Sequence, residues 1–422
     1  MSTTTTSNTT ASSDTTASSN APAASDAARA TNTVSDGTPE SEQATSQALL
    51  SQALGHRFTD GNSMNILENG EQIFPAMLDA IAAADKRVDF TTYVYWTGDI
   101  ARRFAAAFSD RARAGVYVRV LLDAFGCKKI ESSLIDEMES AGVEIRWFRP
   151  MSTWRLWRSD KRTHRKLLVC DDDVGFTGGV GIAEEWEGNA RNPEEWRDTH
   201  VGVRGPAVTG LRAAFLDNWN EAVDWTFESR VSAPQRQTTN TPVQVVRGST
   251  TIGWTDTAAM LCSLVSLSSR KLRITTAYFN PDKKLADLLC EAASRGVDVQ
   301  VLVPGQYCDS RLSQLAGHRH IEALLQSGVQ IWRYEHTMLH AKLITVDSHV
   351  ACIGSANMNH RSIGKDEECC VVAISSAAAA KLDDSFQRDC EGAHRYELDK
   401  WRDRGQWLRF KERCAEMISE QL

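Results

Sequence analysis

A motif that occurs twice at constant separation constrains this chain more than any other feature. His164, Lys166 and Asp171 recur as His340, Lys342 and Asp347, each 176 residues after its counterpart. Independent drift would not hold three residues in that register, so the chain reads as a duplication in which each repeat is one structural unit. The surroundings repeat as well. RVDFTTYVYW at 87–96 is β-branched and aromatic and leads through a helix-like segment to GVYVRVLLD, a second helix-like segment and GVEIRWF. In the second half KLRITTAYF, LADLLCEAASRG, VDVQVLV, IEALLQSG and VQIWRY follow the same order. Strands alternating with helices of this length predict an α/β fold: two homologous α/β/α sandwich halves, each on a largely parallel sheet, related by pseudo-two-fold symmetry.

Composition places the boundaries. Through residue 45 there is one basic residue, Arg29, and no aromatic, so 1–60 is expected to be a disordered Ser/Thr/Ala-rich tail. The first half is assigned to 61–229 and the second to 243–422, the latter ending in a helical tail. Between them the polar, proline-bearing stretch RVSAPQRQTTNTP is the expected linker, 230–242. The formal charge is −8, from 47 Lys and Arg against 55 Asp and Glu. No general affinity for nucleic acid follows from that balance, and an anion-binding surface has to be a local patch. Ten cysteines are scattered without CxxC or Cys/His metal spacing and read as buried thiols. No apolar run approaches the ~18 residues of a membrane span, and the first residues lack the basic and apolar regions of a secretory signal.

The duplicated residues suit phosphodiester chemistry. On a strand, residues i and i+2 share a face, which sets each histidine beside its lysine. Asp171 and Asp347 have the opposite parity and fall where the strand ends, so within this candidate catalytic set their expected work is bracing the turn. Small residues follow each copy, Gly178 and Gly179 in the first and Ser355 and Asn357 in the second, where a backbone can approach and bind a phosphate. Attack on phosphorus builds charge on non-bridging oxygens that lysines neutralise, while two histidines divide the proton work. A single HxK on a strand is ordinarily a half-exposed polar face; two copies in equivalent slots point to one shared site. The run Asp171, Asp172, Asp173 reads as a solvated turn, and neither a metal nor another cofactor is expected.

With these residues in view the chain resembles the phospholipase D superfamily, whose signature is the paired HxKxxxxD motif. Within it the chain is most similar to bacterial cardiolipin synthases of the short form without transmembrane helices. ILENGEQIFPAMLDAI, FTGGVGIAEEW, EWRDTHVGVRGPAV and GSANMNHRS carry the likeness. The resemblance implies that both motifs meet between the halves, that His164 is the nucleophile forming a phosphohistidine, and that His340 is general acid and then base. Asp198 and Glu368 match the acidic residues that orient the histidines, with Asp366 and Glu367 adjacent to the second. Gly181 departs from the family by standing where asparagine is common. The implied reaction is phosphatidyl transfer, cardiolipin formation from two phosphatidylglycerols with release of glycerol. A hydrolytic phospholipase D or a nuclease is the alternative within the superfamily, and a non-enzymatic lipid- or nucleic-acid-binding protein the reading outside it.

A phospholipid substrate requires contact with a membrane surface, so a cytoplasmic protein peripheral to the inner face of the cell membrane is expected. RPMSTWRLWRSDKR, from Arg149 to Arg162, interleaves basic residues with Trp154 and Trp157 just before the first motif and is a candidate for that contact. The Trp- and Arg-rich C-terminal helix is a second.

Overall fold

The β-branched and aromatic runs form the strands of a computed structural model that describes residues 38–150, 161–223, 234–249 and 255–416. The first half contributes β1 (Thr59–Glu68), β2 (Arg87–Thr92), β3 (Tyr117–Asp123), β4 (Glu144–Phe148), β5 (Leu167–Cys170), β6 (Val174–Gly178) and β7 (Thr199–Arg204). The second contributes β8 (Thr241–Gly248), β9 (Lys271–Thr275), β10 (Phe279–Asn280), β11 (Asp298–Pro304), β12 (Gln330–Tyr334), β13 (Leu343–Val346), β14 (Val350–Gly354), β15 (Met358–Asn359), β16 (Glu368–Ile374) and β17 (His394–Arg395).

Among the described residues one sheet runs in the order β17, β12, β11, β9, β13, β14, β16, β8, β1, β7, β6, β5, β2, β3, β4. Outward from the central β8–β1 pair, β16, β14, β13, β9, β11 and β12 repeat β7, β6, β5, β2, β3 and β4. That order is the duplication written in hydrogen bonds. β6 and β7 also lie against β14 and β16, so the sheet folds over on itself at its middle.

Burial follows the sheet. Helices Asn69–Ala82 and Asp99–Arg113 cover the outer face of the first half through Ile73, Phe74, Phe104 and Phe108. Asp256–Leu267 and Lys283–Ser294 do the same for the second through Leu261, Leu264, Leu285 and Leu289. A third cluster joins the halves, with Leu167, Val201 and Phe215 from one side and Leu343, Ile353 and Val371 from the other. Burying such apolar surface contributes about 25 cal/mol per Å², so the interface that holds the site is itself core.

Three expectations change. The sheet is mixed: in each half the parallel strands are β2–β3–β4 and β9–β11–β12, while β5, β6, β7 and their equivalents pair antiparallel. The reason is the connection between β5 and β6, too short for the crossover that parallel strands need. Second, Pro39–Leu54 is a helix inside the stretch 1–60 expected to be disordered. Thr38 caps it, Pro39 opens it, Gly55 ends it in the left-handed region, and Leu50 and Leu54 bury against the second half. Residues 1–37 lie outside the described residues.

Third, the basic stretch before the first motif turns inward at both ends. Arg162 pairs with Asp123 at 2.9 Å, and Arg149 with Glu221 at 2.7 Å and Glu367 at 3.1 Å. Trp154, Arg155, Trp157 and Arg158 lie outside the described residues.

Candidate active site

Each histidine stands just before a buried strand, β5 or β13, and each strand runs against the opposite half at that point. His164 N–H donates to Glu367 O at 2.9 Å and Glu367 N–H to Arg162 O at 2.9 Å. His340 N–H donates to Arg197 O at 2.7 Å and Arg197 N–H to Met338 O at 2.9 Å. The backbone that delivers a histidine from one half is thus hydrogen-bonded to the backbone that delivers a carboxylate from the other.

The side chains cross in the same way. His340 Nδ1 lies 2.7 Å from Asp198 Oδ2, and His164 Nδ1 lies 3.2 Å from Glu368 Oε2. Asp366 and Glu367, the neighbouring candidates, pair with Arg361 and with Arg149 instead. Both orienting carboxylates are buried. Burial pushes Asp198 upward, but His340 and Lys342 outweigh it and hold the carboxyl below its ordinary value. Burial opposes Glu368 too, and His164, Lys166 and the Ser355 hydroxyl bring it below its ordinary value.

Each lysine lies two residues after its histidine, in the short stretch that leads into β5 or β13. Lys166 Nζ donates to His164 O at 2.9 Å; Lys342 Nζ donates to His340 O and stands 3.0 Å from His340 Nδ1. Burial drives Lys342 down to about 7 and Lys166 down to about 8, against the pull of the site carboxylates. Burial, with Lys342 beside it, lowers His340 to about 3, although Asp198 opposes the change. A phosphodiester brings the negative charge that this set of buried cations and imidazoles lacks.

The two histidines differ in access. His164 is 13% exposed and lines a cleft of about 590 Å³ together with Tyr93, Phe125, Tyr278, Asn357 and Arg361. His340 is 5% exposed and enclosed by the rings of Trp186 at 5.2 Å, Trp196 at 5.6 Å and Tyr278 at 6.5 Å. The open approach to the site is therefore on the His164 side.

The remaining candidates divide. Asp171 and Asp347 stand at the far ends of β5 and β13 from the histidines, so the structure takes them out of the candidate catalytic set. Asp171 accepts the N–H groups of Asp85, Lys86 and Arg87 at 2.7, 2.8 and 2.8 Å. Asp347 accepts those of Ser269, Arg270 and Lys271 at 2.9, 2.8 and 2.8 Å. Of the four phosphate-binding candidates Asn357 lines the cleft, and its buried amide oxygen has no hydrogen-bond partner among the described residues. Ser355 is buried and donates to Glu368. Gly178 and Gly179 make room rather than contacts: a Cβ on Gly178 would lie 2.4 Å from His200 Nδ1, and one on Gly179 2.2 Å from Asp198 Oδ1.

Sequence reasoning did not single out Trp186, Ser362, Tyr93, Tyr278 or Arg361. A signal existed for two of them, because Ser362 lies 176 residues after Trp186. Among the described residues no group of three His, Cys, Asp or Glu is placed to hold a metal ion, and no helix is long and apolar enough to cross a membrane.

Known proteins resemble this chain. A cardiolipin synthase, phospholipase D-like domain model matches residues 77–191 and 261–390. "Cardiolipin synthase 1" of Bacillus anthracis is 32% identical over 352 residues, 81% of this chain and 68% of that protein. Its Bacillus cereus namesake is 30% identical over 370 residues, 85% and 72%. Among solved structures, phosphatidylserine synthase of Haemophilus influenzae superposes with a TM-score of 0.64 at 13% identity, over 90% of this chain and all of that one, a likeness of fold. The matched segments carry both histidines and both lysines, and the chain belongs to the family of cardiolipin synthase, phospholipase D-like proteins.

Proposed function

We propose that this chain is a phosphatidyltransferase that condenses two phosphatidylglycerols into cardiolipin and releases glycerol. The crossed pairs carry the reading: two imidazoles, each held at Nδ1 by a carboxylate of the other half, beside two buried lysines, with His164 on the cleft. Holding Nδ1 leaves each Nε2 to do chemistry, one as nucleophile and one as proton carrier. The relatives named as cardiolipin synthases support the substrate class.

His164, the histidine on the cleft, attacks phosphorus of the donor lipid. The glycerol oxygen leaves with the proton of His340. Burial keeps His340 neutral in the empty site, and the incoming phosphodiester anion raises it, so His340 takes a proton from solvent as the substrate binds. In the second half His340 takes the proton of a hydroxyl on a second phosphatidylglycerol, whose oxygen attacks the phosphohistidine and frees His164. Lys166 and Lys342 neutralise the non-bridging oxygens in both steps, and the Asn357 amide binds the same group.

A membrane surface meets the enzyme as a peripheral partner. Helix Gln406–Glu416 shows Trp407 and Phe410 at 68% and 55% exposure, stacked at 5.5 Å, with Arg409 and Lys411 exposed beside them. Aromatic residues ringed by cations fit the boundary of an anionic bilayer. The same helix packs on Arg311–Ala316, whose Ser313 lines the cleft. Replacing Trp407 and Phe410 by Ala is expected to weaken co-sedimentation with phosphatidylglycerol vesicles while leaving turnover of a short-chain soluble lipid intact; unchanged sedimentation rules this face out.

The test of the reaction is vesicles of phosphatidylglycerol labelled in the headgroup glycerol. Cardiolipin and free labelled glycerol are the expected products. Phosphatidic acid as the main product at high lipid density would replace the transferase by a hydrolase.

A further inference from the structure

We infer that Trp186 and Ser362 are equivalent positioning residues, each supplying the hydrogen bond that aims one orienting carboxylate at the histidine of the opposite half. The inference rests on the reading above for the roles of His164 and His340. Trp186 Nε1 donates to Asp198 Oδ2 at 2.9 Å, and Ser362 Oγ donates to Glu368 Oε1 at 2.6 Å. All four side chains are buried. The donors differ greatly in size, yet they occupy the same position of the duplication, 176 residues apart.

The difference in size is matched in the carboxylates and at two further positions of the repeat. Asp198 is one methylene shorter than Glu368 and is met by the longer donor. Gly179, at the offset of Ser355, has no side chain, and a Cβ there would lie 2.2 Å from Asp198 Oδ1. In the second half Ser355 is present and donates to the longer carboxylate. Gly181 stands at the offset of Asn357, and a Cβ on it would lie 2.7 Å from Val94 Cβ and 3.2 Å from Trp186 Cζ3. The indole and Val94 therefore fill the space that the Asn357 side chain takes in the second half. This accounts for glycine at position 181.

One consequence is division of labour. The His340 half is closed by Trp186, which holds Asp198 and packs on the His340 ring at 5.2 Å. The His164 half stays open, and there Ser362 also accepts the Asn357 N–H at 3.1 Å, tying the carboxylate to a residue of the cleft wall. Two half-sites of one ancestry have become a buried proton carrier and an accessible nucleophile.

Trp186→Phe removes the N–H and keeps a ring; Ser362→Ala removes one oxygen. In protein labelled with 15N-histidine, without substrate, Trp186→Phe is expected to move the ring-nitrogen signals of His340 and leave those of His164, and Ser362→Ala to do the reverse. Each is expected to lower kcat about ten-fold with KM within about two-fold, since a hydrogen bond to a charged group is at stake. Signals of both histidines moving together in each variant, or of neither, overturn the inference, as does an unchanged kcat. Should Trp186→Phe fail to fold, Ser362→Ala decides on the same criteria. If the wild-type protein makes no cardiolipin, the functional reading falls while the substrate-free spectra still decide this one.

Discussion

Removing the Asp347 carboxylate is expected to damage the fold far more than the chemistry, although the aspartate belongs to the signature motif. Asp347 is buried at the end of β13 and accepts four hydrogen bonds: the N–H of Ser269 at 2.9 Å, its hydroxyl at 2.8 Å, and the N–H groups of Arg270 and Lys271, both at 2.8 Å. These donors open β9, so the carboxylate fixes where β9 begins relative to β13. Hydrogen bonds to a charged group are worth about 1.5–3 kcal/mol each, but they are not additive and water replaces part of the loss. We therefore expect Asp347→Ala to cost about 3–4 kcal/mol, at the diagnostic end of single substitutions. Asp347→Asn keeps one oxygen acceptor and tolerates the backbone φ of 49°, so it is expected to cost about half as much. Denaturant unfolding supplies the stabilities, and turnover per folded molecule at low temperature supplies the chemistry, which should stay within about three-fold of wild type. An Asp347→Ala protein that unfolds at the wild-type midpoint but has lost turnover would refute the bracing role.

Three further outcomes follow from the site. His164→Ala and His340→Ala are each expected to abolish turnover to within a few per cent of wild type, because their steps are sequential, and acid-quenched phosphohistidine should map to His164; label on His340 reverses the assigned order. The charged form of each lysine binds phosphate and exists below its pKa, so kcat/KM should fall as pH rises through about 7 and 8, the values to which burial drives Lys342 and Lys166. Lys342→Arg, which stays charged, should move the onset of that fall upward, and an unmoved profile would assign it elsewhere. Treatment with EDTA is expected to leave the rate unchanged, since the two histidines and two lysines of the site supply the proton transfer and the charge; loss of rate restored by a divalent ion counts against it.

The parts of this architecture that local rules govern were legible in the chain. The i, i+2 spacing predicted Lys166 beside His164 and Lys342 beside His340, which stand just before β5 and β13 rather than in them, and Asp171 and Asp347 fall at the strand ends as their parity suggested. What failed depended on connections and on distance. THRKLLVCDD at 163–172 read as one strand-like run, yet β5 covers only Leu167–Cys170 and turns through Asp171, Asp172 and Asp173 into β6, and a hairpin must be antiparallel. Pro39–Leu54 escaped because its composition is polar and few of its residues bury, although Thr38–Pro39 at one end and Gly55 at the other are cap signals. Arg149 and Arg162 looked like surface cations because their partners, Asp123, Glu221 and Glu367, are remote in sequence.

The crossing of the pairs was the least legible feature and explains the most. A carboxylate downstream of a histidine in the same repeat suggests that the two belong together, and no periodicity says otherwise. The structure instead bonds the stretch before each histidine to the stretch before the carboxylate of the opposite half. Neither half then has a complete histidine of its own: separated, each would keep an imidazole with no carboxylate at Nδ1 and a buried carboxylate with no histidine to orient. The penalty for leaving such groups unpaired is the desolvation of a charge, and it falls on the interface that also buries Leu167, Phe215, Leu343 and Val371. Folding of the halves and assembly of the site are thereby one event. Once the two copies were joined in one chain, each half-site was also free to change alone, which is what Trp186 against Ser362 and Gly181 against Asn357 record.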